Sequence, residues 1–141
     1  MIEDDGDPDD GALLAALDTR RPAAWRALTD LADDFRLRLH AEDDYVWTGQ
    51  YPQYGPRIEA ARRLLDEVGA VSPAYGWMQH TPPALGADGT VSAADAVRLA
   101  TTVVRAERFG DGNIAEAVKA GVLQAVVVAL AGWYREQSDA G

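Results

Sequence analysis

The sequence contains no cysteine and only two histidines, His40 and His80. The lack of cysteine excludes a disulfide framework, a thiol nucleophile and a cysteine-ligated zinc site. Neither histidine has a second histidine at the spacing of metal ligands, so we expect no metal and no cofactor. A chain without cysteine fits the reducing cytoplasm.

Basic residues are also scarce. The chain has 13 Lys and Arg against 23 Asp and Glu, a net charge of −10, and like charge opposes the approach to phosphate, so nucleic acid is not an expected partner. The N-terminus carries acids where a secretory leader needs bases followed by an apolar run. The longest apolar run, 122–134, contains Gln124 and is too short to cross a bilayer. These absences predict a cytoplasmic protein without membrane contact.

Length and charge pattern together predict one domain behind an acidic tail. A chain of 141 residues has the usual size of a single domain, and 48% hydrophobic residues suffice for a core. Six of the first ten residues are acidic and none is basic, which is typical of a solvated, disordered segment. We therefore predict a disordered tail at 1–10 and a single helical domain at 11–137.

Apolar residues recur at spacings of three and four over most of the domain, which is the period of an amphipathic helix. We predict an all-α fold, a single compact domain of about five helices with two aromatic-rich ordered loops. The helices are expected at 11–18, 22–41, 57–68 and 92–109 and from Asn113 onward, with Gly121 splitting or loosening the last one. That last helix is apolar around most of its circumference, so it should be the central one. A short strand is left open near 70–71 or 90–91.

The two predicted loops are rich in aromatic residues. Glycine and proline within them argue against helix. The aromatic side chains are Tyr45, Trp47, Tyr51 and Tyr54 in the first loop and Tyr75 and Trp77 in the second. Large aromatics in an ordered loop either pack over the core or form the wall of a pocket or a partner contact. The sequence leaves both interpretations open.

The most distinctive stretch is 105–112, Arg-Ala-Glu-Arg-Phe-Gly-Asp-Gly. At the helical period Glu107 falls on the apolar face of its helix and Arg105 on the opposite face. A buried carboxylate needs a partner, and the partners we expect are an arginine or the backbone amides at the start of the next helix. The functional alternative is that Glu107 is a tuned acid or base in a cleft.

Four further residues are candidates for a site. Arg105 and Arg108 are three residues apart and are spaced to clamp a phosphate or carboxylate, although such a pair also forms an ordinary solvated face. Asp111 lies between two glycines, a pattern typical of a turn. His80 follows Trp77 in a proline-rich loop and is, with Glu107, a weak candidate for general acid or base.

The segment 105–112, followed by a final helix with Gly121 and Trp133, resembles the Arg-x-Glu-Arg-Phe-x-x-Gly signature of a family of small uncharacterised bacterial proteins, largely actinobacterial. The upstream segment Tyr75-Gly76-Trp77-Met78 looks like an aromatic-Asp-Trp element of that family, with Gly76 where an Asp is expected. The resemblance covers about 47–134. It implies the domain assignment and no activity, because none is established for the family.

Three functional hypotheses follow. The leading one is a small helical module that binds a ligand or a protein in a cleft between the aromatic loops and the 105–112 turn. The alternative is an enzyme for a phosphorylated or nucleotide-like substrate, with Arg105 and Arg108 holding the anion and Glu107 or His80 as acid or base, which requires these side chains to converge. The second alternative is a structural homodimer. The sequence does not decide whether the protein is an enzyme.

Overall fold

A computed structural model describes residues 7–140 of the chain, with side chains to residue 138. Six α-helices and one β-hairpin make up this part of the chain. In chain order they are α1 (Asp10–Ala15), α2 (Pro22–Leu37), β1 (Tyr45–Thr48), β2 (Tyr51–Tyr54), α3 (Pro56–Glu67), α4 (Ala93–Glu107), α5 (Asn113–Lys119) and α6 (Val122–Ala140), with a short 3-10 helix at Trp77–Gln79. The fold is therefore mostly helical, as expected, but it is not all-α.

The helices begin where the sequence supplies caps. The Ser92 hydroxyl accepts a hydrogen bond from Asp95 N at the start of α4. Pro22 begins α2 and Pro56 begins α3. Proline suits the first turn of a helix, because the N–H that it lacks would have no partner within the helix there. Gly121 does split the last predicted helix. It adopts a φ of +80°, and α5 and α6 meet there at 78°.

The core lies between α2, α4 and α6. Trp25 of α2 is fully buried, stacks on Tyr134 of α6 with ring centroids 4.5 Å apart, and contacts Trp133. The buried face of α6 is formed by Leu123, Val126, Val127, Leu130 and Ala131, which confirms its central place. Within the described residues no single helix is both long and apolar enough to cross a membrane; the bent pair α5–α6 reaches that threshold only when the two are taken together.

The first aromatic loop was predicted wrongly. It forms an antiparallel hairpin in which Tyr45 pairs with Tyr54 and Trp47 with Pro52, and Gly49 turns the chain with a φ of +65°. Tyrosine and tryptophan favour strands, and proline is tolerated on an edge strand, which both strands of a two-stranded sheet are. The segments 70–71 and 90–91, where a strand was left open, lie outside the hairpin.

The N-terminal acidic run contributes to the domain where it is described. Residues 1–6 of the predicted tail lie outside the described part. Asp9 accepts a hydrogen bond from Ala12 N and caps α1, and Asp10 forms an ion pair with Arg98 of α4 at 2.6 Å. The first helix and its cap therefore begin before residue 11.

Candidate functional site

Glu107, at the end of α4, is a buried cap for the next helix. Its side chain is 7% exposed. Oε1 accepts a hydrogen bond from Ile114 N at 2.7 Å, and Oε2 accepts one from Gly112 N at 3.2 Å. The first amides of a helix have no partner within the helix and carry its positive dipole end, so a carboxylate there is stabilised. The expectation of an inward-pointing carboxylate with backbone partners is confirmed.

Tyr54 completes this arrangement from the hairpin. Its hydroxyl donates to Glu107 Oε2 at 2.9 Å and accepts from Ala115 N at 3.2 Å. Burial and the hydrogen bond to Glu107 raise the pKa of the Tyr54 phenol well above its ordinary value. The hydroxyl therefore stays protonated and joins β2, α4 and α5 at one point.

The turn between α4 and α5 is fixed by two further contacts. Gly112 adopts a φ of +102°, and the indole of Trp47 lies so close above it that a Cβ at this position would stand 2.9 Å from Trp47 Cη2. Asn113 Nδ2 donates to Gly110 O at 2.6 Å and to Ala106 O at 3.1 Å. These contacts connect the turn to the hairpin and to the end of α4.

Large apolar side chains are exposed in this turn and on the segments that pack beside it. Phe109 is 77% exposed and Met78 is 68% exposed, while Trp47 is about half exposed. Trp77 contacts Phe109 with ring centroids 6.1 Å apart. We call the set Trp47, Trp77, Met78 and Phe109 the turn surface. Trp47 lies against Gly112 of the α4–α5 turn and Trp77 lies against Phe109.

The predicted anion clamp is not assembled. Arg105 lines a small pocket of about 150 Å³ with Trp77 and Met78, whereas Arg108 lines a separate one on α3 with Arg62. Glu107 points away from both pockets, into the α5 N-terminus. The structure therefore does not bring the two arginines and the carboxylate together as the enzyme hypothesis requires.

The other predicted site residues are dispersed. His80 Nε2 bonds Asp7, and its ring stacks on the buried Tyr75 at 5.5 Å. Asp111 is exposed in the turn. Tyr51 is exposed on the hairpin face opposite Trp47, because side chains alternate along a strand. Among the described residues no group of three metal-ligating side chains is placed to hold an ion.

Sequence reasoning missed a buried ion pair that supports the hairpin. Asp44, just before β1, is nearly inaccessible and accepts hydrogen bonds from Arg57 Nε at 2.7 Å and Nη2 at 2.8 Å. Burial alone would raise the pKa of Asp44, but the hydrogen bonds from Arg57 and from Ala41 N outweigh it and the pKa is lowered. Arg57 also lies over the Phe35 ring at 4.5 Å. No local pattern pairs residues this far apart.

These features define a small helical domain whose hairpin is attached to a helix–turn–helix junction by a buried carboxylate. Residues 20–136 match the family of unknown function DUF6508. The chain belongs to this family. No curated protein and no solved structure matches the chain.

Proposed function

We propose that the protein is a binding module that holds a short acidic segment with apolar side chains, from a partner protein, on the turn surface. The observation that carries the proposal is Phe109, which is 77% exposed at a turn whose backbone is held by a buried carboxylate. Clustered large apolar side chains at the surface of a soluble domain mark contact sites more often than chance exposure does. Aromatic residues are also the commonest anchors of protein interfaces.

The rigidity of the turn supports this function. Three donors converge on the Glu107 carboxylate, and Gly112 lies against Trp47. A surface that is already ordered loses little conformational entropy when it binds. The Glu107 cap thus contributes to binding indirectly, since it holds the position of Phe109.

Charge favours an acidic segment over a basic one. Within the described residues, Arg62, Arg105 and Arg108 have no carboxylate at ion-pair distance, whereas Arg63 has one and Arg57 and Arg98 have two each. Arg105 lies beside Trp77 and Met78, and Arg108 precedes Phe109. The unpaired guanidinium of Arg105 beside these apolar anchors suits a carboxylate on a partner, which a guanidinium binds with two parallel hydrogen bonds.

The proposal is tested by selecting, from a phage-displayed library of random short peptides, those that bind the 141-residue protein. We expect the recovered peptides to be acidic and to contain at least one large apolar residue. Their binding should be lost with Phe109→Ser and weakened with Arg105→Gln. The matched control is Leu37→Ser, since Leu37 is 86% exposed on α2, outside the turn surface, and this change should leave binding unaltered.

Other outcomes would overturn the proposal. Basic peptides, or peptides that bind equally well to Phe109→Ser, would show that another surface is used. If the turn surface pairs two copies of this chain, light scattering will give a dimer that Phe109→Ser converts to a monomer, and the peptide proposal is then replaced by the homodimer. Failure to recover any peptide would also count against it.

The proposal extends to the family's source, its signature and the protein's location in the cell. The resemblance of 105–112 supports a bacterial, largely actinobacterial family that shares an Arg-x-Glu-Arg-Phe-x-x-Gly signature. The composition supports a cytoplasmic location. An alignment of family members in which Glu107, Phe109 and Gly112 vary freely would count against the signature. Fractionation of cells that express the chain tests the location.

A further inference from the structure

The chain carries, among its own first residues, the kind of segment proposed for the partner. Residues 1–6 are Met-Ile-Glu-Asp-Asp-Gly, of which three are acidic and two are large and apolar. They lie outside the described residues, and the structure follows the chain from Asp7 onward. The place where Asp7 is held therefore decides which surface these six residues can reach.

Asp7 attaches the chain to the short 3-10 segment beside the turn surface. Its Oδ1 accepts a hydrogen bond from Gly76 N at 2.9 Å, and its Oδ2 is bonded to His80 Nε2. A Cβ at Gly76 would stand 3.1 Å from Asp7 Oδ1, so the lack of a side chain there lets the carboxylate approach this closely. These contacts fix the point at which residues 1–6 leave the described domain.

The chain approaches Arg105 along one face of α4. Arg98 and Arg105 are seven residues apart, so they lie on the same face of the helix, about 10 Å from one another along its axis. Asp10 pairs with Arg98, and Asp7 is bonded to Gly76, which lines the 150 Å³ pocket together with Arg105. Residues 1–6 therefore leave the domain beside this pocket.

The six residues are long enough to reach the exposed apolar side chains. Gly76 is followed by Trp77, whose ring centroid lies 6.1 Å from that of Phe109. An extended chain advances about 3.4 Å per residue, so residues 4 and 5 can lie beside Arg105 while residue 2 lies beyond it. The segment can thus contact the pocket and Phe109 at the same time.

Charge complementarity favours the same placement. Within the described residues Arg105 has no carboxylate at ion-pair distance, whereas Arg98 has two. A guanidinium binds a carboxylate with two parallel hydrogen bonds, and Glu3, Asp4 and Asp5 supply three carboxylates. The segment therefore carries the charge that Arg105 lacks.

We infer that residues 1–6 occupy the turn surface of their own molecule and compete with the partner segment. Asp4 or Asp5 pairs with Arg105, and Ile2 lies against the exposed ring of Phe109. A short tether gives an effective concentration of about 1 mM, so a segment that binds weakly in isolation still occupies the surface. This inference rests on the proposed function, because it concerns how the same surface is regulated.

The competition is measured as the affinity of one selected acidic peptide for the full-length parent and two variants. The first variant neutralises the acids of the segment, with Glu3→Gln, Asp4→Asn and Asp5→Asn. The control neutralises three exposed acids of α2 and α6, with Asp30→Asn, Asp33→Asn and Glu136→Gln. We expect the first variant to bind the peptide about tenfold more tightly than the parent, because the surface is no longer occupied, and the control to bind as the parent does. No gain, or an equal gain in both variants, would overturn the inference.

The change Ile2→Ser separates contact from repulsion, since it leaves the charge of the segment unaltered. We expect it to raise the affinity for the peptide about threefold, because it removes the apolar contact with Phe109. A gain in the acid-neutralised variant without any gain for Ile2→Ser would mean that the acids only repel the peptide, and would contradict the inference.

Amide chemical shifts of the isotope-labelled parent and the acid-neutralised variant give a readout that needs no peptide. We expect differences at Trp77, Met78 and Phe109 that are the same in dilute and concentrated samples, as a contact within one molecule requires. Differences confined to the substituted residues and their chain neighbours, or differences that grow with concentration, would overturn the inference.

The failure of this inference is distinguishable from the failure of the proposed function. A peptide that requires Phe109 but binds all the segment variants and the parent equally would refute the inference alone. A peptide selection that yields no binder to the parent or to the acid-neutralised variant would refute both, whatever the chemical shifts show.

Discussion

The Tyr54 hydroxyl donates a hydrogen bond to Glu107 Oε2 at 2.9 Å across 53 positions of sequence. The same hydroxyl accepts from Ala115 N, so one phenol links the hairpin to both helices of the junction. The pair explains why an acidic residue lies at the end of an apolar helix face. It is a structural contact, and our proposal assigns the binding of a partner to Phe109, which is exposed two residues later.

Replacing Glu107 by Gln should destabilise the fold. A glutamine amide presents N–H groups to at least one of the three donors that now converge on the carboxylate, and an unsatisfied buried donor costs about 1–3 kcal/mol. Urea unfolding measures the change. The control is Glu136→Gln at an exposed position of α6, which should stay within about 0.5 kcal/mol of the parent. Equal effects of the two changes would mean that Glu107 is not a cap.

The Tyr54→Phe change should cost about 1–2 kcal/mol of unfolding free energy, because it removes a donor to Glu107 and an acceptor for Ala115 N. Combined with Glu107→Gln, the two effects should be less than additive, with a coupling of about 0.5 kcal/mol or more. Tyr45→Phe is the matched control on β1, since its hydroxyl makes no hydrogen bond to the described residues. Strict additivity would contradict a direct interaction.

The free energy of unfolding should fall at high pH because of the Tyr54 phenol. Its pKa in the folded protein is raised above the ordinary value of 10.0, so the unfolded chain releases a proton that the folded one retains. The contribution is fully present below pH 10.0 and is lost as the pH rises further, by up to about 1.4 kcal/mol per pH unit for one proton. Urea unfolding between pH 9 and 11 should show a steeper loss for the parent than for Tyr54→Phe. Parallel pH profiles would refute this origin.

Gly112→Ala should lower the free energy of unfolding by more than the backbone strain of the new residue alone would lower it. The new methyl group meets both a φ of +102° and the Trp47 ring. Gly89→Ala is the control, because Gly89 has a φ of +80° with no atom within 4 Å of its added Cβ. The two glycines should differ by about 1 kcal/mol or more, and Trp47→Ala should remove that difference. A difference that persists without Trp47 would show that the indole is not its cause.

The sequence predicts this domain as far as local patterns reach. The spacing of three and four between apolar residues predicted the helices, and the capping pattern at Ser92 predicted the start of α4. The apolar stripe on α4 predicted that the Glu107 side chain points inward. The hairpin was missed because Pro52 and Gly49 disfavour a helix in the same way whether they lie in a loop or, as here, in an edge strand and its turn. The partner of Glu107 from the hairpin, and the pairing of Asp44 with Arg57, depend on contacts between distant segments, which no local spacing encodes.

The affinity of one selected acidic peptide for the parent, Phe109→Ser and Leu37→Ser tests the central claim most directly. Isothermal titration gives the three dissociation constants, and the unfolding free energy of each variant shows whether it is folded. Both changes are at exposed side chains, so neither should alter stability by more than about 0.5 kcal/mol. We predict at least a tenfold loss of affinity for Phe109→Ser, about 1.4 kcal/mol, and no change for Leu37→Ser. A folded Phe109→Ser variant that binds the peptide as tightly as the parent would contradict the account.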